Sequence, residues 1–392
     1  MPINKINGIT YSNIAKIGGK ATSQLAKMGG QTLSASAPPA TATRWVGVTD
    51  YGYVIYASNS DRTSWSQYDG VYNATPRAFD IGFGKNSNGD GIYICSRGGA
   101  VRELQVSSVD VTTDANWTDV NISPNDTAHC VMWGARSDGS TAGTWMAIGE
   151  QDNGNAYRSI DGGANWSAVD LSGLSGHGTG TSGDVKGIAS NGLGKWVFAQ
   201  GPRLYISTDD GASFSVSTPW SSDTPQTQQG ITYTNSTWVI AYSRGGRVKL
   251  RCASDSDLTD WSDEYDPYTE LDNGETMANP DNVNKRSNIC SANGRVCVIS
   301  TGHDLVTYFD VNGKVISNVG QNDLSDTTSL GGDTARDICT DGSTWMISMM
   351  DGDIWESTDN GVTWARTVNG LSIAGATNRD IQGITCDVIL PL

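Results

Sequence analysis

The sequence predicts an all-β chain folded as a seven-bladed β-propeller with four-stranded blades. Three observations carry this: an eight-residue turn phrase that repeats, a strand-turn-strand phrase that recurs about every 50 residues, and a composition rich in glycine and tryptophan. The 392 residues include 47 Gly and 13 Trp, which calls for many tight turns and many aromatic anchors. Length alone, at roughly 100–200 residues per domain, would suggest two or three domains. The repeats argue instead for one β body.

The turn phrase has the form Ser/Thr-x-Asp-x-Gly-x-x-aromatic. It occurs as SIDGGANW (Ser159, Asp161, Gly163, Trp166), as STDDGASF (Ser207, Asp209, Gly211, Phe214) and as STDNGVTW (Ser357, Asp359, Gly361, Trp364). Weaker copies end at Trp65 and Trp261, and a weaker one still at Trp117. Each octet suits a hairpin turn. The carboxylate and hydroxyl accept backbone N–H bonds, the glycine takes a positive φ, and the aromatic packs beneath the next blade strand. The pattern resembles the Asp-box of sialidase-like β-propellers. That resemblance implies that Asp161, Asp209 and Asp359 brace turns and do not act as catalytic acids.

The second phrase is a short apolar strand, an Asn/Asp-Gly-type turn and a Trp-initiated strand, as in Asp337–Ser348, Gly187–Ala199, Gly230–Ala241 and Asn288–Ser300. Its second-strand anchors are Trp45, Tyr93, Trp145, Trp196, Trp238, Val296 and Trp345, separated by 48, 52, 51, 42, 58 and 49 residues. The first unit starts directly at its second strand, Arg44–Val48. After the last octet the chain continues into Asp380–Leu390, which reads as a first strand. The C-terminal strand is therefore expected to complete blade 1 and remove the exposed edge of an open ring.

Residues 1–35 carry a shorter repeat. Lys5-Ile6, Lys16-Ile17 and Lys27-Met28 stand eleven apart, each followed by a Gly-containing pair. Such a period can mark a helical supercoil, but the Gly pair in each of the two later units costs roughly 2 kcal/mol relative to alanine in a helix, so short strands or turns are expected. So short an arm cannot bury a core of its own. Ile6, Ile17 and Met28 then serve as equivalent plugs and Lys5, Lys16 and Lys27 as equivalent charges toward a partner. Residues 36–43 read as a linker, and 44–392 as the propeller. The phrase from Asn7 to Gly19 resembles the N-terminal segments of virion proteins of marine and cyanobacterial phages, which precede tail-fibre or capsid-appendage domains. The resemblance implies a virion structural protein anchored to other virion proteins through residues 1–35. Equivalent plugs call for equivalent sockets, on symmetry-related partner subunits or on neighbouring arms of a homo-oligomer, and a rigid ring of exposed loops suits display toward host-surface glycans or receptors.

Charge is segregated. Residues 1–43 hold four Lys and no acid, which leaves 22 basic against 42 acidic side chains in the remainder, a net −20. An acidic body repels phosphate, so nucleic acid is not expected as a partner. There is no run of 18 apolar residues for a membrane span, and the first residues lack the apolar region of a signal peptide. The seven Cys form no CxxC pair and most lie in apolar β-like runs, so buried reduced thiols are expected, with no metal and no cofactor. Asn86–Gly91 copies half of a calcium loop, but Arg97 stands where the bidentate Glu belongs, and a hairpin turn is the better reading.

A glycan-cleaving enzyme would need more than the octets. Sialidases carry a Phe/Tyr-Arg-Ile-Pro segment ahead of the first Asp-box. Here Pro76-Arg77 and Gly201-Pro202-Arg203 have the wrong order, so no catalytic residue carries over. A two-carboxylate glycosidase is the alternative function, with no acid pair singled out by sequence. His177, in Gly173–Asp184, reads as a loop histidine. A third class, the Asp-box propellers that help assemble photosystems, usually requires export, which the N-terminus does not announce.

Overall fold

The computed structural model describes residues 42–68, 77–98, 103–107, 111, 117–122, 128–149, 155–174, 185, 187–200, 203–219, 227–244, 247–267, 288–300, 305–324, 335–371 and 380–390, together with six short backbone strands before residue 33. The chain divides into two compact units, Met1–Ala40 and Thr41–Leu392.

In the first unit the strands are β1 (Lys5–Ile6), β2 (Ile9–Thr10), β3 (Lys16–Ile17), β4 (Lys20–Ala21), β5 (Lys27–Met28) and β6 (Gln31–Thr32). They form three two-stranded antiparallel pairs with registers Lys5↔Thr10, Lys16↔Ala21 and Lys27↔Thr32, so the eleven-residue sequence period is also a structural period. The sequence between paired strands is Asn7-Gly8, Gly18-Gly19 or Gly29-Gly30, the dipeptides that two-residue hairpins favour.

The second unit is all β. Six of its sheets are each made of four consecutive antiparallel strands. They are β10 (Arg77–Lys85) to β13 (Trp117–Asn121) through β11 (Gly91–Gly98) and β12 (Glu103–Ser107); β14 (Ala128–Gly134), β15 (Thr144–Gly149), β16 (Asn155–Ser159) and β17 (Ser167–Asp170); and β18 (Gly187–Ser190), β19 (Trp196–Gln200), β20 (Arg203–Ser207) and β21 (Ser215–Ser217). Next come β22 (Thr227–Thr234), β23 (Thr237–Arg244), β24 (Arg247–Ser254) and β25 (Asp257–Trp261); β26 (Ile289–Ala292), β27 (Arg295–Ser300), β28 (Leu305–Asn312) and β29 (Val315–Asp323); and β30 (Ala335–Thr340), β31 (Trp345–Met349), β32 (Ile354–Ser357) and β33 (Ala365–Val368). One further four-stranded sheet is composite: β34 (Ile381–Cys386) pairs with β7 (Arg44–Thr49), which continues to β8 (Val54–Ser58) and β9 (Asp61–Tyr68).

The first strands β10, β14, β18, β22, β26, β30 and β34 touch one another in that order, and β34 returns to β10. This closed circuit makes the unit a β-propeller. The predicted anchors Trp45, Tyr93, Trp145, Trp196, Trp238, Val296 and Trp345 all lie on second strands and are 0% exposed. Burial follows position: β15 and β31 are buried throughout, whereas the outer strands β9 and β33 face solvent. Hydrophobic clusters join neighbouring sheets face to face, as Val239, Leu250 and Val296 do between β23, β24 and β27. Each fully buried Val, Leu or Phe there contributes about 1.5–3 kcal/mol.

The turns between first and second strands follow their sequence. In Asn293-Gly294 both residues have positive φ, 53° and 85°, as a type I′ hairpin requires. Asn86–Asp90 is likewise a hairpin turn: Asn86 Oδ1 accepts from the amides of Asn88 and Asp90, both at 2.9 Å.

The ring is fastened at the composite sheet. β34 and β7 pair from Ile381↔Thr49 to Cys386↔Trp45. The amides of Thr43 and Arg44 donate to Asp387 Oδ1 at 2.7 and 3.0 Å, and the Ala42 amide donates to Asp341 Oδ2 at 3.2 Å. Ala42 and Thr43, assigned by the sequence to the linker, are thus bound into the propeller unit. Ala42 is 3% exposed, because a small side chain fits against Trp45 and Cys386 in one cluster.

Candidate functional site: turn octets and the axial cavity

The octets occupy the turns between third and fourth strands, and three of them share one hydrogen-bond scheme. Ser159, Ser207 and Ser357 donate Oγ–H to Oδ1 of Asp161, Asp209 and Asp359 at 2.8, 2.7 and 2.9 Å. The same hydroxyls accept from the amides of Gly163, Gly211 and Gly361 at 2.9, 3.0 and 2.9 Å. Each Oδ1 also takes the amide of Asn165, Ser213 or Thr363, and each Oδ2 takes that residue's side chain. The three glycines have φ of 85°, 79° and 79°, which a side chain rarely tolerates. The turns ending at Trp65 and Trp261 keep part of the scheme, with Asp61 and Asp257 accepting from Thr63 and Thr259.

One expectation needs correction. The octet aromatics do not pack beneath the next strand of their own sheet alone. Trp166 joins the cluster of Ile92, Ile94 and Trp145, Phe214 that of Met146, Ile148 and Trp196, and Trp364 that of Ile299, Val306 and Trp345. Each therefore seals the interface with the preceding sheet. The Nε1–H of Trp166 and of Trp364 is satisfied by the carbonyl of Gly163 or Gly361, both at 3.0 Å, which leaves the ring free to pack.

For Asp161, Asp209 and Asp359, burial alone would raise the carboxyl pKa. The donated hydrogen bonds outweigh it and hold each below the usual carboxylate value. A depressed folded pKa gives stability that is present above the unfolded value and is lost as pH falls through the folded one. Asp209→Ala is expected to cost about 1–3 kcal/mol at neutral pH by orphaning turn donors. It should also flatten the acid limb of a plot of urea midpoint against pH. An unchanged midpoint at pH 7 would remove the bracing role.

The residues on the first strands form a second constellation. Seven positions recur around the axis: Ile81, Val131, Ile188, Ile231, Ile289, Ile338 and Ile384, all lining one cavity of about 590 Å³. The preceding position is Asp or Asn at three of the seven, Gly at three and Cys130 at one. Asp80 Oδ1 accepts from its neighbour Ile81 N and Oδ2 from Val131 N on the next sheet, both at 2.8 Å. Asp337 does the same for Ile338 N and Ile384 N, again at 2.8 Å. Where the position is glycine, the next sheet comes close: a Cβ on Gly383 would stand 3.1 Å from Asp80 Cα, and one on Gly230 would stand 2.7 Å from Asn288 Oδ1. First strands are sheet edges, so these carboxylates satisfy amides that the ladder leaves open.

Toward the turns the cavity is lined by Trp133, Tyr233 and Thr340, by Leu193, which is 70% exposed, and by Val388–Leu390 after β34. The Trp133 indole lies where side chains on Gly84 and Gly143 would be, 2.3 and 2.4 Å from their positions, and donates to the Ala142 carbonyl at 2.8 Å. Thr232 and Ser291 share a 2.7 Å hydroxyl contact across two sheets. Cys130, Cys290, Cys339 and Cys386 also line the cavity. Burial pushes the Cys290 thiol up to about 12 and those of Cys339 and Cys386 well above the ordinary value, so they stand as neutral thiols at pH 7. The volume of about 590 Å³ is that of a small-molecule site.

Lys5 and Ile6 form β1, Lys16 and Ile17 form β3, and Lys27 and Met28 form β5, with their side chains outside the described residues. His177 is also outside them. Among the described residues, no group of three or more His, Cys, Asp or Glu could hold a metal ion, and no helix is long and apolar enough to cross a membrane.

The fold and cavity define the class: a β-propeller of four-stranded blades around an axial opening. Solved structures similar to this chain include YCF48 bound to D1 peptide, with TM-score 0.52, 12% identity, and coverage of 84% of this chain and 95% of that one. The WD40 β-propeller domain of Doa1 is similar at TM-score 0.50 and 11% identity, with 83% and 89% covered. YCF48 from Cyanidioschyzon merolae follows at TM-score 0.46 and 16% identity, with 74% and 84% covered. At these identities the likeness is one of fold. No protein-family model and no curated protein sequence matches the chain.

Proposed function

We propose that the protein is a non-enzymatic virion component of a phage, a tail fibre, tail or capsid appendage, anchored through residues 1–35 and displaying a seven-bladed propeller whose octets are Asp-boxes. The observation that carries this reading is the arm. Three hairpins with registers Lys5↔Thr10, Lys16↔Ala21 and Lys27↔Thr32 repeat at a fixed pitch, and isolated two-stranded hairpins are marginal in water without a surface to pack on. Equivalent hairpins want equivalent sockets, on other virion proteins or on neighbouring arms of a homo-oligomer. The axial cavity then offers a display site toward host-surface glycans or receptors.

Deleting residues 1–35 should leave a folded propeller that no longer joins the particle, because three weak attachments on one arm multiply through effective concentration. Full incorporation of the truncated chain would sink the reading. The glycoside hydrolase alternative is tested by incubating the full chain with sialosides and β-glucans. Released sugar would replace the binding role with an enzymatic one.

A further inference from the structure

Cys290 on β26 and Cys297 on β27 are direct cross-strand partners in an antiparallel ladder. Opposed residues point to the same face of a sheet, and both thiols belong to one cluster toward β30 and β31. Cα atoms of such partners lie about 4.5 or 5.5 Å apart, according to whether the pair is hydrogen-bonded, and both values fall within the roughly 4.4–6.8 Å that a disulfide spans. The two are unequal in access. Cys290 is partly exposed and lines the axial cavity, whereas Cys297 is fully buried, its Sγ about where a Cβ on Gly361 would stand, 2.5 Å from that position. The turn glycine of the Ser357–Trp364 octet thus makes room for the inner thiol.

We propose that Cys290 and Cys297 are an oxidisable pair, closed to a cross-strand disulfide by small aliphatic disulfides that enter the axial cavity. The Cys290 thiol loses its proton, and the thiolate attacks one sulfur of the reagent. This forms a Cys290 mixed disulfide and expels one thiolate, which takes up a proton. Cys297, deprotonated in turn, attacks Cys290 Sγ, forms the Cys290–Cys297 bond and expels the second reagent thiol. The protein is oxidised by two electrons and the reagent is reduced to two thiols. Attack needs the thiolate, and burial raises both thiols, so closure quickens as pH rises.

The full chain is incubated with hydroxyethyl disulfide, quenched in acid and digested with trypsin without reduction. Cleavage after Arg286 and Arg295 puts Cys290 and Cys297 on separate peptides. The expected product has lost the mass of two hydrogens, shows these two peptides linked, and presents two fewer reactive thiols in denaturant than the seven cysteines of the chain. A thiol reductant should reverse it. Cys297→Ser should stop at the Cys290 mixed disulfide, and Cys290→Ser should keep residue 297 unlinked; agreement of both variants in circular dichroism with the parent shows that folding is not the cause. A mixed disulfide on Cys290 that never closes in the parent chain, a link to another cysteine, or an unmodified pair would each overturn the proposal.

Discussion

Removing residues 380–392 should leave a chain that does not fold cooperatively. β34 supplies the first strand of the composite sheet, and its loss strips the ladder from Ile381↔Thr49 to Cys386↔Trp45 and exposes the β7 edge. Ile381, Ile384 and Cys386, which are 0%, 2% and 3% exposed, leave the cluster that also holds Trp45, Ile55 and Met346. At about 1.5–3 kcal/mol for each large aliphatic side chain, with Asp337 losing the Ile384 amide and the Thr43 and Arg44 amides losing Asp387 in addition, the loss rivals the roughly 5–15 kcal/mol of a whole domain. The check is urea unfolding followed by tryptophan fluorescence. A peptide of residues 378–392 added in trans should restore a transition whose midpoint rises with peptide concentration, because it binds only the folded ring. A truncated chain that unfolds with the parent midpoint would show the closure to be dispensable.

Much of this was legible in the sequence because a propeller repeats its physics. Most units place a large side chain at the start of the second strand, so Trp45, Trp145, Trp196, Trp238 and Trp345 stand out by type and spacing. Each octet needs a carboxylate, a hydroxyl and a glycine at fixed offsets, and the Asp209 turn satisfies that scheme within the octet itself. Contacts between units were less legible. Trp166 reaches the preceding sheet, and Trp133 sits in space left by Gly84 and Gly143, neither adjacent to it in sequence. The axial site was missed for a related reason: its residues are single Ile or Val positions in seven separate strands. One signal was present, since Asp80-Ile81, Gly187-Ile188, Gly230-Ile231, Asn288-Ile289, Asp337-Ile338 and Gly383-Ile384 repeat a small or polar residue before an isoleucine. That dipeptide carries meaning only once the strands are known to share an axis.

Asp337→Ala should destabilise the ring by about 2–5 kcal/mol, the larger end reflecting two buried amides orphaned at once. Its carboxylate serves Ile338 within β30 and Ile384 across the closure, each at 2.8 Å, and the residue is 4% exposed, so water cannot easily replace it. Asn is no full substitute: the two amides are held by different oxygens of the carboxylate, and Asn would set its NH2 against one of them, donor to donor. Asp337→Asn is therefore expected to fall between the parent and the alanine variant. Asp80→Ala is the internal control, since it opens the equivalent brace from Ile81 to Val131 between consecutive sheets while leaving the closure intact. Amide hydrogen exchange separates the two. Asp337→Ala should deprotect Ile384 and leave Val131 slow, and Asp80→Ala should do the reverse. A general loss of protection at both amides in either variant would mean that the carboxylates hold the whole ring and not a single pair of neighbouring strands.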